Sequence, residues 1–300
     1  MGNMGRVAIF TVGHKPFDLP NKEGYEKIQV GSGDSFAELR DNTGDNISFK
    51  NPFYCELTAL YWAWKNYDNA DIMGLAHYRR YFVNRSPLAF SPVDDVMCAN
   101  DIKRILSKKK VILKGPGYKS PNSSVLYRGL KESEQKLVLV QLEKIIKEKY
   151  PEYLNAYHNI AYGYMIHHGN MFITTKDIFN DYCEWLFTIL DEFEKRYDAC
   201  GVPISSRQCG YVGEYLLGVY MHGRFSEEEL YYADSIMIDE TSYKKSLLYS
   251  SKNMLRLLFP CLIRKYKENK SRNQFIQSRK DHGLVIEEDI LKRKIYCITK

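Results

Sequence analysis

Apolar residues fall along the chain in short continuous runs separated by longer amphipathic stretches. Arg6 to Gly13 (RVAIFTVG), Ile72 to Ala76, Val111 to Leu113 and the Met171-Phe172-Ile173 run have the length and bounds of buried strands. The longer stretches repeat at helical spacing. Leu57, Leu60, Tyr61 and Trp64 form one stripe, Leu137, Val140, Leu142, Ile145 and Ile146 a second that stops at Pro151, and Ile178 to Phe193 a third within Asp177 to Tyr197. Alternation of such runs and stripes predicts an α/β sheet with helices on both faces. Trp62 and Trp64 read as core, and Glu56 as a carboxylate complementing the dipole of the helix it opens. Tyr25 to Ser48 contains Gln29-Val30-Gly31-Ser32-Gly33 and then Arg40 to Ser48, which is rich in turn-forming Asp, Asn and Gly; Ser86 to Ile102 is punctuated by proline, and Lys103 to Lys109 closes a short exposed helix. Tyr118 to Leu130 has no periodicity and reads as a connector or as a loop over a crevice.

The most informative stretch is Asp71 to Phe82 (DIMGLAHYRRYF), where a buried strand runs into His77, Tyr78, Arg79 and Arg80. In a sheet covered on both faces the carboxyl ends of the strands open into the ligand crevice. Two guanidinium groups and an imidazole at such an end suit an anionic ligand, phosphate above all. The alternative is a basic strand end engaged in surface ion pairs. His14 and Lys15, which come after the first strand, reach the same mouth if the strands are parallel. No GxGxxG or GxxxxGK[ST] occurs, which excludes the usual dinucleotide and P-loop fingerprints. Arg207, Tyr211 and Glu214 are spaced to share a helix face, with Glu214 either a general base or the ion-pair partner of Arg207. His158, His167 and His168 lack metal-binding spacing.

With 300 residues, 44% hydrophobic and 27% charged, the chain can bury a full core and carry an appendage. No run approaches the ~18 apolar residues of a membrane span. The N-terminal apolar stretch is too short for a secretory signal, so a cytoplasmic address is expected. Seven scattered cysteines without a CxxC pair read as reduced thiols. Charge is uneven: Tyr243 to Lys300 hold 15 Lys and Arg against 5 Asp and Glu, whereas the preceding residues are slightly acidic. This divides the chain into a body of residues 1–235 and a basic extension of residues 236–300. Within the extension, residues 251–267 interleave Met254, Leu255, Leu257, Leu258, Phe259, Leu262 and Ile263 with basic side chains and suit an anionic membrane surface, with a break at Pro260. A helix docked on the body is the alternative.

Taken together, DNTGDNIS (Asp41 to Ser48), NPFYCELTALYWAWKN (Asn51 to Asn66), DIMGLAHYRRYF, HHGNMFI (His167 to Ile173) with YCEWLF (Tyr182 to Phe187), and RQCGYVGEYLL resemble a bacterial family of capsular polysaccharide and O-antigen glycosyltransferases, galactosyl- or galactofuranosyltransferase-like, formerly grouped only as a domain of unknown function. The resemblance covers roughly Arg6 to His222. It implies a GT-A-like, nucleotide-sugar-binding sheet flanked by helices, a UDP-sugar donor, a polyprenyl-diphosphate-linked glycan acceptor and a peripheral position at the inner face of the cell membrane. In such a site Thr11, His14, His77, Arg79 and Arg80 would approach the nucleotide and its pyrophosphate. Asp41, Tyr78, His167, His168, Asn170 and Arg207 would line the sugar and acceptor side. Glu214 is the first candidate for the base and Asp45 the second. The usual Asp-x-Asp metal ligand is replaced by His77-Tyr78-Arg79-Arg80, so no metal is expected to be required, with manganese or magnesium left open through Asp41 and Asp45. A non-catalytic glycan- or nucleic-acid-binding protein is the rival reading; no nucleic-acid motif supports a nucleic-acid partner.

Overall fold

The computed structural model describes residues 5–118, 132–162 and 165–259, with isolated residues between 262 and 277. The elements in order are β1 (Val7–Gly13), β2 (Tyr25–Gln29), β3 (Leu39–Arg40), α1 (Asn51–Tyr54), α2 (Leu57–Asn66), β4 (Ile72–His77), β5 (Arg80–Val83), α3 (Ala99–Leu106), β6 (Val111–Lys114), β7 (Gly117–Tyr118), α4 (Glu132–Lys149), α5 (Leu154–Tyr162), β8 (Met165–Ile166), β9 (Phe172–Thr175), α6 (Lys176–Ala199), α7 (Gln208–Arg224), β10 (Leu230–Met237) and α8 (Leu247–Leu258).

Eight strands form the main sheet. Neighbours run β3-β2-β1-β4-β9-β6-β10, and β5 closes one corner by joining the end of β4 to the outer half of β10. β1, β2, β3 and β4 are mutually parallel, as are β6 and β10, while β9 is antiparallel to both β4 and β6. The carboxyl ends of β1, β4, β6 and β10 therefore point the same way as the amino end of β9. This places the residues after the parallel strands and those before β9 at one edge.

Every residue of β1 is buried, as befits a strand covered on both faces. Its side chains alternate between two cores. Ala8, Phe10 and Val12 join Met73 and Leu75 of β4 under α2, α4, α5, α6 and α7, whereas Val7 and Ile9 join Ile72 and Ala76 on the other side. That second face is covered by α3, by Tyr81, Phe82 and Val83 of β5, and by Val96 and Met97, so one short helix and a loop stand where helices were expected. The capping box of Cys98 and Asp101 sets the start of α3.

Several expectations change. The strand after Asp71 ends at the His-Tyr-Arg-Arg cluster as expected, but the chain then reverses at Tyr78 and Arg79, so Arg80 pairs back with His77 and Tyr81 and Phe82 enter the core. β2 lies in a stretch to which the apolar pattern assigns no strand. Its Tyr25 and Ile28 are buried, and the Asp- and Asn-rich segment begins only after it. The division expected after residue 235 falls inside β10, which continues to Met237 and is succeeded by buried Ile238. The unpatterned stretch from Tyr118 onward lies, over residues 119–131, outside the described residues. So do Pro260 and most of the residues after it. The five described cysteines, Cys55, Cys98, Cys183, Cys200 and Cys209, are free thiols. Among the described residues no helix is long and apolar enough to cross a membrane.

Gly74 sits where β4 meets β9, and a Cβ there would lie 2.5 Å from the Phe172 carbonyl oxygen and 2.8 Å from Ile173 Cγ1. The oxygen belongs to a paired strand and has nowhere to move. Gly74→Ala is expected to cost ~1–3 kcal/mol, read as a lowered urea midpoint with an unchanged slope; an unaltered midpoint would show that the strands can separate at that point.

Candidate functional site

The edge at which these strand ends meet opens into a cleft of about 600 Å³. A second lobe of about 530 Å³ adjoins it, and Arg80, Arg207, Glu214 and Met237 line both. The first lobe is built from Gly13 and His14 at the end of β1, Val30 after β2, the 77–80 turn, Asn51 at the start of α1, and Cys55 and Glu56 between α1 and α2. The second is built from Lys114 at the end of β6, His168 before β9, Tyr211 of α7 and the end of β10.

Three non-glycine residues adopt positive φ among the described residues, and all three surround this cleft: Cys55 at 52°, Asn170 at 49° and Arg207 at 62°. Left-handed backbone costs such residues roughly 1–3 kcal/mol each, and it persists only where surrounding bonds hold it. Those bonds are present. The Cys55 N–H donates to the Asn51 carbonyl at 2.8 Å and the Arg207 N–H to the Pro52 carbonyl at 2.9 Å, which ties the start of α7 to α1. Asn170 donates from Nδ2 to Glu56 Oε1 at 2.8 Å and to the Gly210 carbonyl at 3.0 Å. α7 can come this close because Gly210 and Gly213 face the same junction. A Cβ on Gly210 would lie 3.1 Å from Cys55 Cβ, and one on Gly213 2.8 Å from Leu57 Cδ1.

Two carboxylates reach the cleft. Glu214 Oε1 accepts the Gly169 N–H at 2.6 Å, and Oε2 lies 3.3 Å from His168 Nδ1. Glu56 is held by Asn170 and lies 3.9 Å from His77 Nε2. A carbonyl oxygen can only accept, so the 2.5 Å contact between His77 Nε2 and the Gly169 carbonyl fixes the proton on Nε2. Gly169 thus serves both lobes, through its carbonyl on one side and its N–H on the other. The cations outnumber the acids. Arg79 and Arg80 are exposed in the cleft, and among the described residues no carboxylate lies within ion-pair distance of either. Lys114 donates to the His168 carbonyl at 3.1 Å; burial, then the charge of Arg80, holds its ammonium below the usual lysine range. The Cys55 thiol is pushed up to about 11 by burial and the nearby Glu56 charge, so it stays protonated at neutral pH and is no nucleophile.

The residues expected from sequence divide cleanly. His14, His77, Tyr78, Arg79, Arg80, Arg207 and Glu214 line the first lobe, and His168 the second. Tyr78 meets His14 edge-on with ring centres 5.7 Å apart and carries the Arg79 guanidinium at 5.0 Å. Five others lie elsewhere. Thr11 is wholly buried in the sheet. Asp41 is buried behind the wall, where Ser48 Oγ and Thr58 Oγ1 donate to it at 2.8 and 2.6 Å, and Asn51, which does line the cleft, bonds Thr58 at 3.1 Å. Asp45 is exposed and accepts from Tyr61 at 3.1 Å, outside both lobes. His167 is packed beneath the second lobe, and Asn170 acts on Glu56 from behind. The alternative pairing of Arg207 with Glu214 does not form: Glu214 is taken by Gly169 and His168, while Arg207 lies 5.3 Å over the Tyr211 ring. Sequence reasoning missed Glu56 and Lys114 as cleft residues. Lys114 carries the same signal as His77, a polar residue ending a buried parallel strand. Among the described residues no three His, Cys, Asp or Glu side chains are grouped to hold a metal ion.

Comparison with known proteins gives two matches. The family described as a domain of unknown function, DUF4422, matches residues 8–225. Among solved structures, the apo form of the bifunctional glycosyltransferase WbbM is similar, with a TM-score of 0.65 and 27% identity over 79% of this chain and 46% of that one. The chain thus spans less than half the length of that protein. No curated protein matches.

Behind Lys114 and His168 of the second lobe lies a buried histidine pair. His167 Nδ1 faces the Lys114 carbonyl at 2.9 Å and must donate, which leaves Nε2 to accept from His222 Nε2 at 2.9 Å. Tyr232 stacks on both rings, Glu227 lies 3.7 Å from His222 Nδ1, and Lys114 and His168 are the other titratable neighbours. Burial lowers His167 to about 4 and His222 well below its ordinary value, so both are neutral in the folded protein. The unfolded chain, titrating near the ordinary ~6.5, takes up these protons first. Stability is therefore complete above about pH 6.5 and falls as pH drops toward 4, by up to ~1.4 kcal/mol per pH unit for each proton. Urea unfolding at pH 7, 6 and 5 measures this slope; a flat profile across that range would place the titration elsewhere.

Proposed function

Because the chain belongs to the family described as a domain of unknown function, DUF4422, and shares its fold with a glycosyltransferase, we propose that it transfers a hexosyl group, galactose or galactofuranose, from a UDP-sugar to a hydroxyl of a lipid-linked glycan. The observation that carries this reading is the pair of cleft cations, Arg79 and Arg80, without carboxylate partners among the described residues, beside a carboxylate anchored where two lobes meet. The donor occupies the lobe formed by β1, β2 and the 77–80 turn, as in a GT-A-like sheet, and the acceptor the lobe of Lys114, His168 and Tyr211.

In the reaction the acceptor oxygen bonds to the anomeric carbon as the bond to the UDP oxygen breaks. Negative charge builds on the departing diphosphate, and Arg79 and Arg80, with His14 nearby, are placed to stabilise it. Preorganised charge of this kind acts without reorganisation at the moment of bond breaking. These fixed cations take the part that a divalent metal plays in other GT-A enzymes. Glu214 accepts the acceptor's proton; the Gly169 N–H and His168 orient its oxygens. The acceptor is carried on polyprenyl diphosphate at the inner face of the membrane.

A screen of purified protein for binding and hydrolysis of UDP-sugars and other nucleotide sugars tests this reading. Arg79→Ala is expected to weaken donor binding about ten- to a hundredfold, the worth of a charge-assisted hydrogen bond. Glu214→Gln is expected to keep donor binding and lose ~10²–10⁴ in turnover. Turnover should survive EDTA. Absence of binding to any nucleotide sugar would overturn the transferase, and activity lost in EDTA and restored by manganese would overturn the role given to the arginines.

A further inference from the structure

α8 is fastened to the body by its polar side. Asn253 is fully buried and donates from Nδ2 to the buried Asp95 carboxylate at 2.7 Å and to the Ser86 carbonyl at 3.2 Å. The Tyr249 hydroxyl donates to the same Asp95 oxygen at 2.7 Å, and Arg85 donates to that hydroxyl at 2.7 Å. The Ser246 N–H, just before the helix, donates to the Phe90 carbonyl at 2.7 Å. A helix packed on a domain ordinarily does the reverse, turning its apolar stripe inward.

The opposite side of α8 is apolar and open. Leu247, Leu248, Met254, Leu255 and Leu258 recur at helical spacing on the side away from Tyr249 and Asn253. Leu247 is 77% exposed and Leu258 61%. The loop that grips the helix adds Leu88, 80% exposed, and Phe90. Along this segment of the chain the charge has one sign, while Asp94 on the gripping loop and Asp239 and Glu240 before the segment are exposed beside it. From Tyr243 to Lys267 there are seven basic residues and no acidic one, and Lys244, Lys245 and Lys252 are exposed.

We propose that this face is a docking surface for an anionic lipid bilayer. Apolar side chains in the acyl boundary, ringed by cations at the level of the headgroups, combine the two signals that stable peripheral attachment needs. A second copy of the chain fits less well, because joining two such faces brings the lysines of the two helices together. The Asp95 clamp gives the surface its rigidity: the helix is presented to the bilayer already folded and oriented, so attachment does not bear the full cost of ordering it. The inference deepens the location part of the transferase reading. Its test uses bare vesicles without glycan or nucleotide, so the two stand or fall separately.

The full-length protein is sedimented with phosphatidylcholine vesicles, with and without phosphatidylglycerol. The expected result is binding to the phosphatidylglycerol vesicles that weakens with salt and is slight on phosphatidylcholine alone. Replacing Lys244, Lys245 and Lys252 by Ser should reduce partitioning about fivefold per residue. Leu255→Ser with Leu258→Ser should abolish binding and leave the urea midpoint unchanged, since both side chains are exposed. Equal recovery with and without phosphatidylglycerol vesicles overturns the proposal. So does a dimer, by light scattering, that the leucine substitutions disperse in a protein that ignores vesicles.

Discussion

The site depends on one strand running against its neighbours. β9 lies antiparallel between β4 and β6, so its amino end, and the His168-Gly169-Asn170 segment before it, arrive where the carboxyl ends of the other strands deliver His14, His77 and Lys114. With β9 reversed, that segment would emerge at the far edge of the sheet. Glu214 would then lose the N–H that holds it, His77 its carbonyl, and Glu56 its amide. The left-handed conformations of Asn170 and Gly169 arise from the same constraint, since the chain must turn sharply between β8 and β9 while presenting backbone groups to α7.

Around this junction the molecule has spent stability on geometry. The three strained residues of the described chain, the close approach of α7 through Gly210 and Gly213, and a buried histidine pair all gather within one region, while α2 and α6 elsewhere pack with ordinary apolar stripes. Strain of this kind is retained where surrounding structure over-determines it. Here the determinants are hydrogen bonds from α1, α7 and the segment before β9, three elements far apart in sequence.

How much of this could be read from the chain differs by type of signal. The strand β4, the helices α2, α4 and α6 and the basic mouth at Arg79 and Arg80 were legible, because hydrophobic period and strand polarity act locally. β2 was not, because Glu26 and Lys27 interrupt its five residues and leave no continuous apolar run. The hairpin at Tyr78 was hidden by continuous apolar and aromatic character on both sides of it. Glu56 reads in the sequence as a helix-end charge because its approach to His77 and Asn170 depends on the left-handed turn at Cys55, which local propensity does not favour. His167 and His168 are adjacent yet belong to different worlds, one stacked in the interior and one in the cleft, and only the register of the segment before β9 decides which is which.

Gly169 bears on the two lobes together. Its carbonyl receives His77 and its N–H supports Glu214, so the two side chains are joined by the atoms of a single residue. A shift of that residue cannot be felt in one lobe alone. The spacing between the imidazole and the carboxylate is therefore set by one residue's backbone and not by a long relay of side chains.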